Sequence, residues 1–249
     1  MDPEVRGPVD QQDFVERLYQ ATPTTWVTTL IVVANVLVWG LNILSGMSVF
    51  SPHPQELLAW GGNFLPATRE QPWRLFTAMF LHGGLIHLAL NMWALWDIGR
   101  LVERFYGNTQ MILIYLICGL AGSLSSLFFA ASRAVSIGAS GAIFGVVGCL
   151  LAALYTKPNK LPVGLVRTLR SSMLGFVGYS LIMGFVVGFI DNAAHIGGLV
   201  AGWLMGVVLA ERFDQEEYRR QVGIRLAIAL CTALGLLVLI WSWLPPRIR

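Results

Sequence analysis

The chain has 249 residues, 55% of them hydrophobic and 12% charged, with a formal net charge of +3. Soluble globular domains carry about 25% charged residues. Half that share, with a mean hydropathy of +0.64, excludes an ordinary soluble domain and points to lipid as the solvent, and the small net charge gives no argument for a nucleic-acid partner.

The first 25 residues are polar and rather acidic (Asp2, Glu4, Asp10, Asp13, Glu16) and lack the basic start and short apolar core of a signal peptide. The first apolar run is therefore expected to be a retained span. A spanning helix needs about 20 mainly apolar residues. Seven stretches qualify or nearly do: 26–47, 83–99, 110–131, 140–156, 171–190, 195–211 and 226–244. Several are broken by glycine and polar residues, which is tolerated where the broken face is buried in protein. Cys118, Cys149 and Cys231 each fall inside an apolar run. An odd number so placed gives no disulfide framework and reads as small core hydrophobes.

The cations set the topology. With the N-terminus inside, inside segments hold twelve Lys and Arg (Arg6, Arg17, Arg100, Arg104, Lys157, Lys160, Arg167, Arg170, Arg212, Arg219, Arg220, Arg225), and outside segments hold five (Arg69, Arg74, Arg133, Arg247, Arg249). That asymmetry predicts a cytoplasmic N-terminus. Trp241, Trp243 and the Pro245–Pro246 pair read as an interfacial anchor and a helix stop. The connection over 48–82 is the longest, yet it is rich in aromatics (Phe50, Trp60, Phe64, Trp73, Phe76, Phe80), so it is expected to lie half in the outer interface. The segment 211–225 reads as a charged inside linker, a solvated helix or loop. There is no internal repeat, which argues against a transporter built from two related halves.

Polar residues inside spans are costly and few, so each is a functional suspect. His82, His87 and Asn91 open the second span, Ser140 the fourth and His195 the sixth. With the N-terminus inside, these spans all run from outside to inside, and their first turns share one depth that water can reach. Ser140 sits in Gly138-Ala139-Ser140-Gly141 at a helix start, where unpaired N–H groups favour a developing oxyanion. A serine hydroxyl needs a base to become a nucleophile, and His195 is the candidate. Gly198, Gly202 and Gly206 below His195, and Gly141, Gly145 and Gly148 below Ser140, are two smooth strips that let helices approach closely. If they face one another, Ser140 and His195 meet. Asp191, one turn before His195, is expected in the outer loop rather than as a third member of the site. His87 and Asn91 share a helix face, and both can donate hydrogen bonds to an oxyanion. No cysteine or carboxylate is placed to complete a metal shell around the histidines, so neither metal nor cofactor is expected.

The pattern His82-x4-His87-x3-Asn91, then Gly138-x-Ser140-Gly141, then Ala194-His195-x-x-Gly198 resembles the rhomboid proteases. So do Trp73-Arg74 and Gly99-x3-Glu103-x3-Gly107. The resemblance covers about residues 25–211. It implies an all-α polytopic membrane protein, a rhomboid-like six-helix bundle plus one C-terminal transmembrane helix. The division is then a polar cytoplasmic segment 1–25, a catalytic core 26–211, a charged linker 212–225, and a seventh helix with a short tail over 226–249.

The resemblance also implies roles. Ser140 is nucleophile, and His195 is general base and then general acid. His87, Asn91 and the Ser140 N–H form the oxyanion hole, and Gly138 allows close backbone approach. His82, Trp73, Arg74, Glu103 and Gly198 are supporting. Two positions depart from the family pattern. Phe144 stands where many bacterial relatives have a tyrosine that stacks on the histidine, and Ile137 stands where some have another glycine. The expected activity is hydrolysis of peptide bonds in or next to the transmembrane helices of single-span substrates. The setting is the bilayer, the bacterial inner membrane, and the fifth span moves aside to admit substrate. The alternative is a catalytically silent rhomboid-like chaperone or adaptor.

Overall fold

The computed structural model describes residues 10–129, 134–187 and 190–242. Asp2, Glu4, Arg6, Arg133, Gly188, Trp243, Pro245, Pro246, Arg247 and Arg249 lie outside the described residues. Among those described no strand forms, and one isolated bridge joins Asn63 to Ser136. The protein is an all-α, multi-pass membrane protein.

A short helix α1 (Gln11–Ala21) is capped by the Asp10 side chain, which accepts from the Gln12 and Asp13 N–H groups. Phe14 and Leu18, one turn apart, are its buried residues. The Phe14 ring meets Phe105 at 6.1 Å and Phe213 at 5.8 Å, which docks the polar N-terminal segment against the bundle. α2 (Trp26–Leu44) follows. The connection over 48–82 folds into short helices α3 (Pro54–Ala59), α4 (Leu65–Glu70) and α5 (Arg74–Thr77) and a 3-10 turn, Ala78–Phe80. Phe50, Trp60, Trp73 and Phe76 remain exposed on it.

The second apolar run is expected to stop near 99, but the helix continues. α6 (Leu85–Ala94) passes through a π-helical turn (Leu95–Gly99) into α7 (Arg100–Tyr106) and ends at Gly107, φ 84°. The charged residues that would have stopped it have partners. The buried Glu103 carboxylate accepts from the N–H groups of Val27 (2.9 Å) and Thr28 (2.8 Å) and from the Thr28 hydroxyl (2.6 Å). An anion at the start of α2 is where the helix dipole favours it. Arg104 donates to the Thr22 carbonyl at 2.7 Å and lies 3.6 Å from the Tyr19 ring centre.

Five more helices complete the chain: α8 (Asn108–Phe129), α9 (Ser140–Thr156), α10 (Val163–Val187), α11 (Asn192–Val208) and α12 (Gln215–Ser242). α10 begins eight residues before the expected 171, because Arg167 and Arg170 are inside the helix. Arg170 donates to the Leu154 carbonyl and lies 4.1 Å from the Tyr155 ring centre, so its charge is covered by protein. Residues 215–225, read from sequence as linker, are the first turns of α12. Lys160 joins that helix start to the α9–α10 connection, reaching Asp214 at 2.7 Å and Glu217 at 2.8 Å. Those hydrogen bonds, Asp214 first, hold its ammonium above the ordinary lysine range. Helices over 26–44, 108–129, 163–187 and 215–239 are each long and apolar enough to cross a bilayer. The segments Arg74–Phe80 and Leu85–Tyr106, bent 91° to one another, make a fifth when counted as one span, and α9 and α11 are shorter, at 17 residues each.

α9 is the axis of the bundle. From Gly141 to Leu154 every residue is buried, and α8 and α11 pack against it. A methyl group on Gly198 would fall 1.9 Å from the Gly141 carbonyl oxygen, and one on Gly202 would fall 1.9 Å from that of Gly145. Only hydrogen fits at these points, so the two backbones touch. α10 is the opposite case. Methyl groups on Gly175 or Gly178 would meet nothing within 4 Å. Lipid is as apolar as a core, so close van der Waals packing is what binds such helices, and α10 has little of it.

The same substitution in the two helices separates these environments. Gly202→Ala is expected to lower the thermal stability of the purified protein by about 1–3 kcal/mol. Gly175→Ala is expected to be neutral or to stabilise by up to about 1 kcal/mol. Equal melting shifts would contradict the close approach.

Candidate active site

Ser140 is the first residue of α9 and His195 the fourth of α11. The glycine contacts set these parallel helices in register. His195 is buried, and its ring stacks on Phe144 at 4.1 Å with 9° between planes. Phe144 lies one turn from Ser140 on the same face of α9. A phenyl ring thus fills the stacking role at the position where the family pattern has a tyrosine. Among the described residues no hydrogen bond joins Ser140 to His195, and His195 Nδ1 is buried without a partner. Free-enzyme geometries of this kind often tighten only when substrate is bound.

Both carboxylate oxygens of Asp191 have partners away from the His195 ring. Its Oδ1 accepts from the Ala194 N–H at 3.0 Å and its Oδ2 from the Ser136 hydroxyl at 2.6 Å. It caps α11 and ties that cap to the segment leading into α9. Ser136 is in turn paired with Asn63 through both backbone N–H groups, at 2.8 and 3.0 Å. The Asn63 side chain donates to the Ser123 carbonyl at 2.8 Å. On α8, a methyl group at Gly122 would fall 2.8 Å from the Ala194 carbonyl oxygen and 3.2 Å from the Gly141 Cα. Sequence reasoning passed over Ser136, Asn63 and Gly122. Of the three only Gly122 lies inside an apolar run, where a small residue marks a close helix approach; Asn63 and Ser136 lie in connections.

His87 is fixed from its far side. The Gly83 N–H donates to its Nδ1 at 3.1 Å. A neutral imidazole that accepts at Nδ1 carries its proton on Nε2. A methyl group on Gly138 would lie 3.1 Å from His87 Nε2 and 3.8 Å from Ser140 Oγ. Gly138 has φ 119°, a conformation that glycine takes readily, and its N–H donates to the Ala78 carbonyl at 2.9 Å. The space above Gly138 is therefore flanked by a hydroxyl and a ring N–H donor. Asn91 is buried one turn further along α6, and its side-chain amide donates to the His87 carbonyl at 3.0 Å. That bond uses one of its two N–H donors.

The other expected residues lie around this centre. His82 is buried against His87, with ring centres 5.2 Å apart. Arg74 donates to the Leu58 carbonyl (2.6 Å), the Gly62 carbonyl (3.2 Å) and the Gln71 side chain (2.8 Å), and lies 4.8 Å from the Trp73 ring centre. These two residues hold the 48–82 connection together. Glu103 is at the far end of the continuous helix Leu85–Tyr106, where it caps α2.

A Rhomboid domain model matches residues 69–212. The chain belongs to the rhomboid family. It is 39% identical over 184 residues to the Rhomboid protease GluP of Bacillus subtilis, covering 73% of this chain and 34% of that one. It is 40% identical over 160 residues to the mitochondrial RHOMBOID-like protein 6 of Arabidopsis thaliana, covering 63% and 51%. It is 28% identical over 221 residues to Rhomboid-like protease 2 of Toxoplasma gondii, covering 86% and 76%. The chain thus spans about a third to a half of the length of the first two of these relatives.

The Asp191 link has a measurable consequence. Asp191→Ala is expected to cost about 1–2 kcal/mol through loss of the cap and to raise amide hydrogen exchange in both 134–139 and 192–196. A rise confined to α11 would contradict the tie through Ser136.

Proposed function

We propose that this rhomboid-family chain is an intramembrane serine protease acting through a Ser140–His195 dyad on single-span membrane-protein substrates. The observation that carries the reading is the stack of His195 on Phe144 one turn from Ser140, held by side-chain-free contact between α9 and α11. Two of the relatives described above are themselves named proteases. The cation asymmetry supports an N-terminus on the cytoplasmic side, and the Bacillus relative supports a bacterial plasma membrane as the setting.

In this reaction Ser140 Oγ attacks the scissile carbonyl carbon and its proton passes to His195. A carbon–oxygen bond forms and the carbonyl oxygen becomes an anion. His87 Nε2–H, the free amide N–H of Asn91 and the Ser140 backbone N–H at the start of α9 stabilise that anion. The tetrahedral species collapses, the carbon–nitrogen bond breaks, and His195 protonates the leaving amine. A water molecule, deprotonated by His195, then hydrolyses the acyl-enzyme, and the serine regains its proton. Gly138 keeps the approach to the serine clear of a side chain. His82, Trp73, Arg74, Glu103 and Gly198 maintain the frame. A substrate helix must unwind to expose its backbone, so segments carrying glycine or proline near the outer face are favoured. α10 moves aside to admit the substrate, in keeping with its sparse packing.

The test is cleavage in proteoliposomes of a single-span substrate carrying a small residue and a helix breaker near its outer end. Wild type is expected to release two fragments, and Ser140→Ala and His195→Ala none. His87→Ala is expected to slow cleavage about a hundredfold or more. A cross-link between α6 and α10 is expected to block cleavage. Cleavage by Ser140→Ala would overturn the assignment of the nucleophile. Intact substrate with every variant, wild type included, across several substrates would favour the silent chaperone reading.

A further inference from the structure

The rod Leu85–Tyr106 carries His87 near one end and Arg100 thirteen residues on, about 20 Å away along the helix. At that far end an open groove of about 630 Å³ lies between α2 and the rod. Two stripes at helical spacing form it. Trp96, Arg100 and Arg104 make one wall, and Thr25, Thr29 and Val33, with Trp26 and Leu30 beside them, make the other.

The groove is cationic at its end and apolar along its length. Arg100 donates through Nε to the Thr25 hydroxyl at 3.2 Å and lies 4.7 Å from the Trp96 ring centre. Among the described residues neither Arg100 nor Arg104 forms an ion pair. The adjacent carboxylate, Glu103, is occupied by the start of α2, and Asp97, one turn before Arg100, pairs with neither arginine. Arg104 is anchored by Thr22, whereas Arg100 keeps its terminal N–H groups available. Away from the arginines the walls become Leu30, 58% exposed, and Val33, 45% exposed, on a helix apolar enough to cross the bilayer. Trp26 and Trp96 are half exposed at the polar end, where indole rings favour the headgroup level.

We propose that this groove holds one anionic glycerophospholipid. Its phosphate lies against Arg100 and the Thr25 hydroxyl, whose proton stays available because it only accepts from Arg100, and the start of an acyl chain lies along Leu30 and Val33. A guanidinium matches two phosphate oxygens in its plane, and stacking on Trp96 fixes that plane. A free phosphate would satisfy the polar end but leave the apolar walls unused. The occupant is a lipid because both halves of the groove belong to one amphiphile.

Native mass spectrometry of the full chain in an uncharged detergent tests this. The probes are phosphatidylglycerol, phosphatidylcholine with the same acyl chains, and inorganic phosphate. Wild type is expected to retain one phosphatidylglycerol about tenfold more tightly than phosphatidylcholine, and millimolar inorganic phosphate should not displace it. Arg100→Gln is expected to weaken phosphatidylglycerol about fivefold and leave phosphatidylcholine unchanged. Val33→Trp, a lipid-facing change that fills the apolar part, is expected to weaken both lipids. Equal retention of the two lipids, or unchanged selectivity in Arg100→Gln, would overturn the proposal. So would displacement by inorganic phosphate, which would make the site one for free phosphate. If Arg100→Gln does not fold, Val33→Trp decides: weaker retention supports the lipid site and unchanged retention overturns it.

Discussion

The backbone contact between α9 and α11 is the constraint on which the site depends. Where Gly198 meets the Gly141 carbonyl and Gly202 meets that of Gly145, a single methyl group has no room. In lipid there is no hydrophobic gain from bringing apolar helices together, so tight surface contact and polar links must hold them. These glycines supply the contact, and they also fix the register. A slip along α9 would lift His195 off Phe144 and away from the level of Ser140. The Ser136–Asp191 bond, 2.6 Å long, locks the two helix starts from above.

The polar residues divide by what they touch. At one end of the bundle, His87 and Ser140 flank Gly138, Asn91 holds the His87 carbonyl, and His195 stacks on Phe144. At the other end, Glu103 caps α2 while Arg104 and Arg212 donate to the carbonyls of Thr22 and Ala21 just before it. The rod through α6 and α7 connects these ends. The same helix thus presents a donor at the site and anchors the first apolar helix, which explains why charged residues continue past the apolar run without ending the helix.

The parts of this arrangement legible in the sequence were those that break the apolar pattern. Ser140, His195 and the glycine strips stand out because polar or side-chain-free positions in a membrane helix demand a reason. The start of α10 was not legible, because Arg167 and Arg170 read as solvated inside cations. In the fold Arg170 is covered by the Tyr155 ring and the Leu154 carbonyl. For the start of α12 the sequence leaves helix and loop both open, and its partners come from afar: Lys160 reaches Glu217 from another segment and Arg225 pairs with it too. Ser136, Asn63 and Gly122 act through contacts between distant segments, which leave no periodic trace. The docking of α1 rests on Phe14 and Leu18, a single one-turn pair in an otherwise polar stretch and too short a repeat to signal a buried face.

The central claim is that Ser140 is a nucleophile activated by His195. The most direct measurement is labelling of the full chain in detergent with a fluorophosphonate, followed by mass spectrometry of the modified peptide. One adduct is expected, on Ser140, that disappears in Ser140→Ala and falls to background in His195→Ala while both variants keep the wild-type melting profile. An adduct on another serine, or undiminished labelling of Ser140 in His195→Ala, would contradict it.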